Sequence, residues 1–151
     1  GKGGEKVVSN KFQTLKQNEM KYLGDMNSPV LIITTGVTNQ VCLEVMGSNS
    51  MSEKVRLLHL LKLNNLDQQV LKEFLTFCKK IIIVEEHQKR GGILTQILHF
   101  LHSQKIRNLE ISHLSLGEEF IRNYGNQREH FANSEITYEK ILKEIEDFYE
   151  N

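Results

Sequence analysis

The feature that most restricts the fold of this chain is the run Ile81-Ile82-Ile83-Val84, ended by Glu85-Glu86-His87 and followed by the pair Gly91-Gly92. Four consecutive β-branched residues favour extended backbone, and a run apolar on both faces suits a strand buried on both sides. That requires a largely parallel sheet with helices above and below. Residues 93–102 follow with apolar positions at helical spacing, so the charged turn between strand and helix lies at the strand's carboxyl end. In open α/β sheets, ligands and partners bind at that edge.

The rest of the chain repeats the alternation. Residues 20–24 read as a short edge strand, and Asp25 to Pro29 supply turn chemistry. Val30-Leu31-Ile32-Ile33 is a second buried strand; its hairpin-like distance from the first predicts that the two run antiparallel. Val37, Val41, Cys42, Val45 and Met46 recur at helical spacing and predict a helix over 38–46. Residues 55–61 are apolar and of strand length. Asp67 is suited to cap a helix whose buried stripe is Val70, Leu71, Phe74, Leu75 and Cys78. Residues 106–114 alternate Ile106, Leu109 and Ile111 with polar residues and read as an edge strand. A short helix over 117–124, a polar loop over 127–133 and a final helix starting near 134–137 complete the pattern. Ile141, Leu142, Ile145, Phe148 and Tyr149 form the apolar face of that last helix. The expected architecture is α/β, a three-layer α/β/α sandwich on a mostly parallel sheet of about five strands, the first antiparallel.

Bulk properties narrow the function. A length of 151 residues allows one domain with a real core. The 19 basic residues balance the 19 acidic ones, which argues against a nucleic-acid binder. No apolar run approaches the roughly 20 residues that span a bilayer. Cys42 and Cys78 lack metal-type spacing and read as reduced core thiols of a cytoplasmic protein. The chain begins at Gly1 rather than Met. Residues 1–18 are therefore expected to be a flexible lead-in or artificial leader remnant, with the domain over 19–151, one piece of a longer protein.

Val30 to Gly36, Leu60 to Asp67, Ile81 to Gly92, and Tyr124-Gly125 followed by Ile136-Thr137 occur in an order and spacing that resemble the C-terminal domain of transketolase-like, thiamine-diphosphate-dependent enzymes. That group includes transketolase, 1-deoxyxylulose-5-phosphate synthase and the β subunits of 2-oxoacid dehydrogenases. Val84-Glu85-Glu86-His87 with Gly91-Gly92 is a moderately specific element, and the likeness covers roughly residues 20 to 148. Asn65 stands where the family often has Pro, and Ile93-Leu94 where it often has small residues. The resemblance implies a domain that packs against the cofactor-binding domains and supports a homodimer. Thiamine diphosphate and a divalent metal (Mg) are then expected in the complete enzyme, with none bound by this chain alone. The chain also lacks a Gly-Asp-Gly metal–diphosphate motif.

Several residue groups are candidates for chemistry. Glu85, Glu86 and His87 have the donors of an acid/base or metal cluster. Strand alternation sends the two carboxylates to opposite faces, so the competing reading makes one a solvated or interdomain carboxylate and the other a cap for the turn. Lys89, Arg90, Gly91 and Gly92 stand at a helix start, where free N–H groups and the helix dipole favour an anion; an interdomain contact is the alternative. His99 and His102 lie three apart on a helix with His113 on the next strand, but surface or packing roles suit them better. Ser48, Ser50 and Ser52 lie in a loop with no nucleophile elbow. No catalytic residue and no metal ligand is assigned.

These readings lead to two expectations. The first is a C-terminal domain or short subunit of a transketolase-like enzyme, supplying scaffold, interdomain and dimer contacts for transfer of a short carbon unit. The alternative is a domain of the 2-oxoacid dehydrogenase β-subunit type that docks a partner acyltransferase and is not catalytic on its own.

Overall fold

The computed structural model describes residues 20–48, 51–62, 66–86, 92–115 and 136–151, and the backbone alone of 13–15. The elements are β1 (Gln13–Leu15), β2 (Met20–Gly24), β3 (Val30–Thr35), α1 (Thr38–Met46), α2 (Met51–Lys54), β4 (Val55–Leu60), α3 (Gln68–Leu75), β5 (Lys80–Glu85), α4 (Gly92–Ser103), β6 (Glu110–Ser115) and α5 (Tyr138–Glu150). One six-stranded sheet has the order β1-β2-β4-β3-β5-β6. Strands β4, β3, β5 and β6 are mutually parallel, while β2 is antiparallel to β4 and β1 antiparallel to β2.

All six residues of β4 and all six of β5 are buried. Alternation divides the strand residues between two cores. Leu31, Ile33, Leu58, Leu60, Ile81 and Ile83 pack against α3 and α4, through Val70, Leu71, Phe74, Ile93, Ile97 and Phe100. Val30, Ile32, Val55, Leu57, Ile82 and Val84 pack against α1 and α5, through Cys42, Val45, Ile141 and Ile145. A sheet apolar on both faces with helices on both sides is the three-layer sandwich that the isoleucine run predicts.

Three sequence expectations change in detail. The hairpin-like distance between β2 and β3 puts them in opposite directions, but β4 lies between them: Met20 pairs with Leu60 and Val30 with Val55. A strand buried on both faces gains a neighbour on each edge by inserting there. The turn after β2 steps across its start, with Asp25 N–H bonding the Ser52 carbonyl at 3.1 Å and the Ser28 hydroxyl bonding the Lys54 carbonyl. Next, β6 starts at Glu110 rather than near 106. Lys105 and Asn108 take positive φ values of 55° and 61°, so Ile106 and Leu109 belong to a turn from which both still pack on the α3/α4 core. Finally, β1 falls within the stretch expected as a lead-in and is the sixth strand. The helix expected over 117–124 and the loop over 127–133 lie outside the described residues.

The helix starts follow local chemistry. Asp67 accepts the Val70 N–H at 3.1 Å, and Thr137 accepts the Lys140 N–H at 3.2 Å; each satisfies a donor that the helix leaves open. Among the described residues no helix is long and apolar enough to cross a membrane.

Candidate functional site

The carboxyl ends of β3 and β5 are neighbours from which the chain departs to opposite faces. After β3 it enters α1 on one side; after β5 it enters α4 on the other. Such a divergence is where open α/β sheets form a crevice. Here Thr38, the first residue of α1, ties the two turns together. Its hydroxyl lies 2.7 Å from the Thr35 carbonyl and 3.0 Å from the Val84 carbonyl. The Thr34 hydroxyl, 2.5 Å away, completes this buried cluster.

Glu85, the last residue of β5, projects to the α4 side and is fully buried. Its Oε2 accepts the Ile93 N–H at 2.7 Å, and Oε1 accepts the Leu94 N–H at 3.2 Å. The same Oε1 lies 2.9 Å from Nε2 of His113 on β6. A carboxylate thus fills the first turn of α4, where free N–H groups and the positive end of the helix dipole favour negative charge. Gly92 makes the approach feasible. Its φ is +79°, and a Cβ there would overlap Oε2 and stand 2.9 Å from Cδ of Glu85.

With both oxygens engaged, Glu85 is an anchor for the turn rather than an open acid or base. This agrees with the reading in which one acid of the pair caps the turn. Glu86 follows the strand and is half-buried. His87, Lys89, Arg90 and Gly91 lie outside the described residues. The structure therefore brings Glu85 and Gly92 together and adds His113. Sequence reasoning had grouped His113 with His99 and His102, which lie on the exposed side of α4. The signal for the correct pairing was parity: Ile83 pairs with His113 in the β5–β6 ladder, which puts the imidazole on the same sheet face as Glu85.

The remaining candidates have structural surroundings. Cys42 and Cys78 are free and buried, and burial pushes the Cys42 thiol up to about 12, far from a reactive thiolate. The Ser48 hydroxyl bonds the Val45 carbonyl at 2.7 Å. Among the described residues no group of three or more His, Cys, Asp or Glu side chains is placed to hold a metal ion.

Known proteins share this fold. A 1-deoxy-D-xylulose-5-phosphate synthase from Halothermothrix orenii (strain H 168 / OCM 544 / DSM 9562) is 28% identical over 122 residues, covering 80% of this chain and 19% of the relative. The chain thus spans about a fifth of that relative's length. Among solved structures, a split-gene transketolase described as an inactive β4 tetramer superposes with a TM-score of 0.66 at 16% identity, over 85% of this chain and 41% of the other. Transketolase from Campylobacter jejuni subsp. jejuni NCTC 11168 gives 0.58 at 12% identity, over 87% and 19%. A 2-oxoglutarate:ferredoxin oxidoreductase from Magnetococcus marinus gives 0.56 at 22% identity, over 85% and 19%. At these identities the structural likeness is one of fold. The family model for "Transketolase, C-terminal domain" matches residues 19–141, from the start of β2 into α5, and the chain belongs to that family.

Proposed function

We propose that this chain is the C-terminal domain, or a separate short C-terminal subunit, of a transketolase-like enzyme. The complete assembly transfers a short carbon unit in the cytoplasm, using thiamine diphosphate and a divalent metal. The chain supplies scaffold, interdomain contacts and homodimer contacts, and the cofactor-binding domains or subunit of the same enzyme are its partners. The observation that carries this reading is the commitment of Glu85. The one fully buried acid of the recognition turn, among the described residues, is consumed by its own helix and by His113. A carboxylate held in this way serves the scaffold rather than chemistry.

The sequence lacks a Gly-Asp-Gly motif, and we place no step of thiamine chemistry on this chain. Of the seven residues expected at an interface, Glu86, His87, Lys89, Arg90, Gly91 and Gly92 are assigned to the contact surface, while Glu85 is buried and holds the start of α4 instead.

Calorimetry tests the reading directly. Titrating thiamine diphosphate with Mg²⁺ into the chain alone should give no saturable heat; tight binding would sink the proposal. Mixing with the cofactor-binding subunit should give a complex, and the Lys89→Glu/Arg90→Glu double variant should weaken it at least tenfold while its melting temperature stays that of the wild type. Recovery of an acyltransferase in place of that subunit would favour docking of the 2-oxoacid dehydrogenase type.

A further inference from the structure

The described buried charges are matched, with one exception. Lys80 reaches two carboxylates and a carbonyl, and Glu85 is held by two N–H groups and an imidazole. Arg56, the second residue of β4, is not matched. Its side chain points into the α3/α4 core, shares that face with Leu58 and Leu60, and is 1% exposed. Nε, Nη1 and Nη2 are all buried, and none makes a well-formed hydrogen bond among the described residues. The guanidinium lies 5.9 Å from the Phe74 ring centroid, and Tyr22 packs edge-on against that ring.

An arginine stays protonated, so this is a buried cation rather than a neutral group. Burial pulls its pKa below the usual value, while the Cys78 sulfur, close enough to bond the guanidinium, and the charge of Asp25 act in the opposite direction. Neither supplies a bonded anion. The Cys78 thiol is held above its usual value by burial, so it is uncharged at neutral pH, and its S–H donates to the Lys80 carbonyl at 3.1 Å. Asp25 is exposed and its Oδ1 accepts the Asn27 N–H at 2.9 Å. A ring face compensates a desolvated cation only in part. A buried cation with unsatisfied donors requires an anion.

We propose that Arg56 is the centre of a binding site for a small monovalent anion, of which chloride is the type, reached from the amino edge of the sheet. The route follows from the ladder: Gly24 pairs with Arg56, so the exposed Asp25 turn stands next to the guanidinium. The charge follows from the surroundings. One guanidinium, set beside the Phe74 ring and the uncharged Cys78 thiol, neutralises one negative charge. Bound there, the anion links β2 and α3 to the centre of the sheet.

Thermal melting of the full chain in sodium chloride and in sodium gluconate, at equal ionic strength, tests this. Gluconate is far bulkier than chloride, and constant ionic strength removes general screening. Replacing gluconate by chloride should raise the melting temperature of the wild type by about 3–6 °C, saturating with chloride, as expected for a ligand of the native state. Arg56→Met should abolish the chloride dependence and melt no lower than the wild type in gluconate. Arg56→Lys serves the same purpose should the methionine variant fail to fold, because an ammonium loses the guanidinium's fork and should bind chloride at least tenfold more weakly. Bromide soaked into crystals should give an anomalous peak within hydrogen-bond distance of the guanidinium. Equal melting of the wild type in the two salts overturns the site, even with a bromide peak, which would then be an adventitious ion only. An unchanged chloride response in Arg56→Met overturns it by placing the anion elsewhere. A salt-insensitive wild type that Cys78→Ser destabilises overturns it in favour of a Cys78 thiolate as the internal partner.

Discussion

Glu85 and Gly92 leave no room between them: a Cβ at position 92 would overlap Oε2 of Glu85, and the φ of +79° there is itself unfavourable for a side chain. Gly36 separates these two effects, because it too has a positive φ, +56°, with nothing within 4 Å of a Cβ. Gly92→Ala should therefore cost about 2–4 kcal/mol, from backbone strain and the displaced carboxylate together, while Gly36→Ala should cost about 1 kcal/mol from the backbone alone. Urea denaturation of both variants checks this. Equal losses would show that the contact with Glu85 contributes nothing.

The carboxylate is the second half of that relationship. Glu85→Gln keeps the length of the side chain but replaces one acceptor oxygen by a donor facing the start of α4. It should destabilise by about 1.5–3 kcal/mol, because a buried charge-assisted bond is lost and a donor is left facing a donor. His113→Ala should be milder. A double-mutant cycle between the two should give a coupling of about 1 kcal/mol or more, since both change one network. Additive effects would mean that the 2.9 Å contact is energetically idle.

Sequence and structure agree where one signal dominated. The run Ile81 to Val84 demanded two apolar layers, and both exist on it. Asp67 and the stripe of α3 were legible because helical periodicity and capping are local. Strand order was not: β4 enters between β2 and β3 because of long-range burial, which spacing along the chain does not encode. The site was half legible. Strand alternation separated Glu85 from Glu86 and allowed one of them to cap the turn, but His113 is brought to Glu85 by the β5–β6 register. Arg56 and Lys80 were missed because a single cation in or beside an apolar run reads as a strand-end residue, whereas both are buried.

Lys80 predicts an asymmetry. Its Nζ lies 2.8 Å from Glu144 Oε2, 2.9 Å from the Glu144 carbonyl and 2.9 Å from Glu110 Oε1, and the Ser112 hydroxyl also bonds Glu144 Oε2. This cluster pins α5 to the sheet. Burial works to lower the Lys80 pKa, but the bonds to Glu144 and Glu110 outweigh it and raise it. Lys80→Met should cost only about 1–2 kcal/mol, because the carboxylates it releases are 58% and 31% exposed and regain water. Removing both acids, Glu110→Ala with Glu144→Ala, should cost about 3–5 kcal/mol by leaving an ammonium buried without an anion. Hydrogen exchange should show α5 opening first in the double variant. A larger loss in Lys80→Met would reverse the assignment.

His59 sets the acid response. It sits in β4 on the α1/α5 face, 3% exposed, directly across from Lys21 in the β2–β4 ladder. Burial, with Lys21 adding to it, pushes the imidazole down from 6.5 to about 4. A group whose folded pKa is depressed supports the fold above its unfolded value, and that support is lost as pH falls. The window therefore runs from about 6.5 down to about 4, and the full loss is on the order of 3 kcal/mol. Glu144 acts in the same direction at lower pH. Burial raises its pKa, but the bonds from Lys80 and Ser112 outweigh this and hold it below the usual carboxylate range. His59→Gln should flatten the stability profile between pH 6.5 and 4 while leaving the fall below pH 4 in place. Urea melts of the two proteins at half-unit pH steps measure this directly, and parallel curves across that window would mean that His59 is charged in the folded chain.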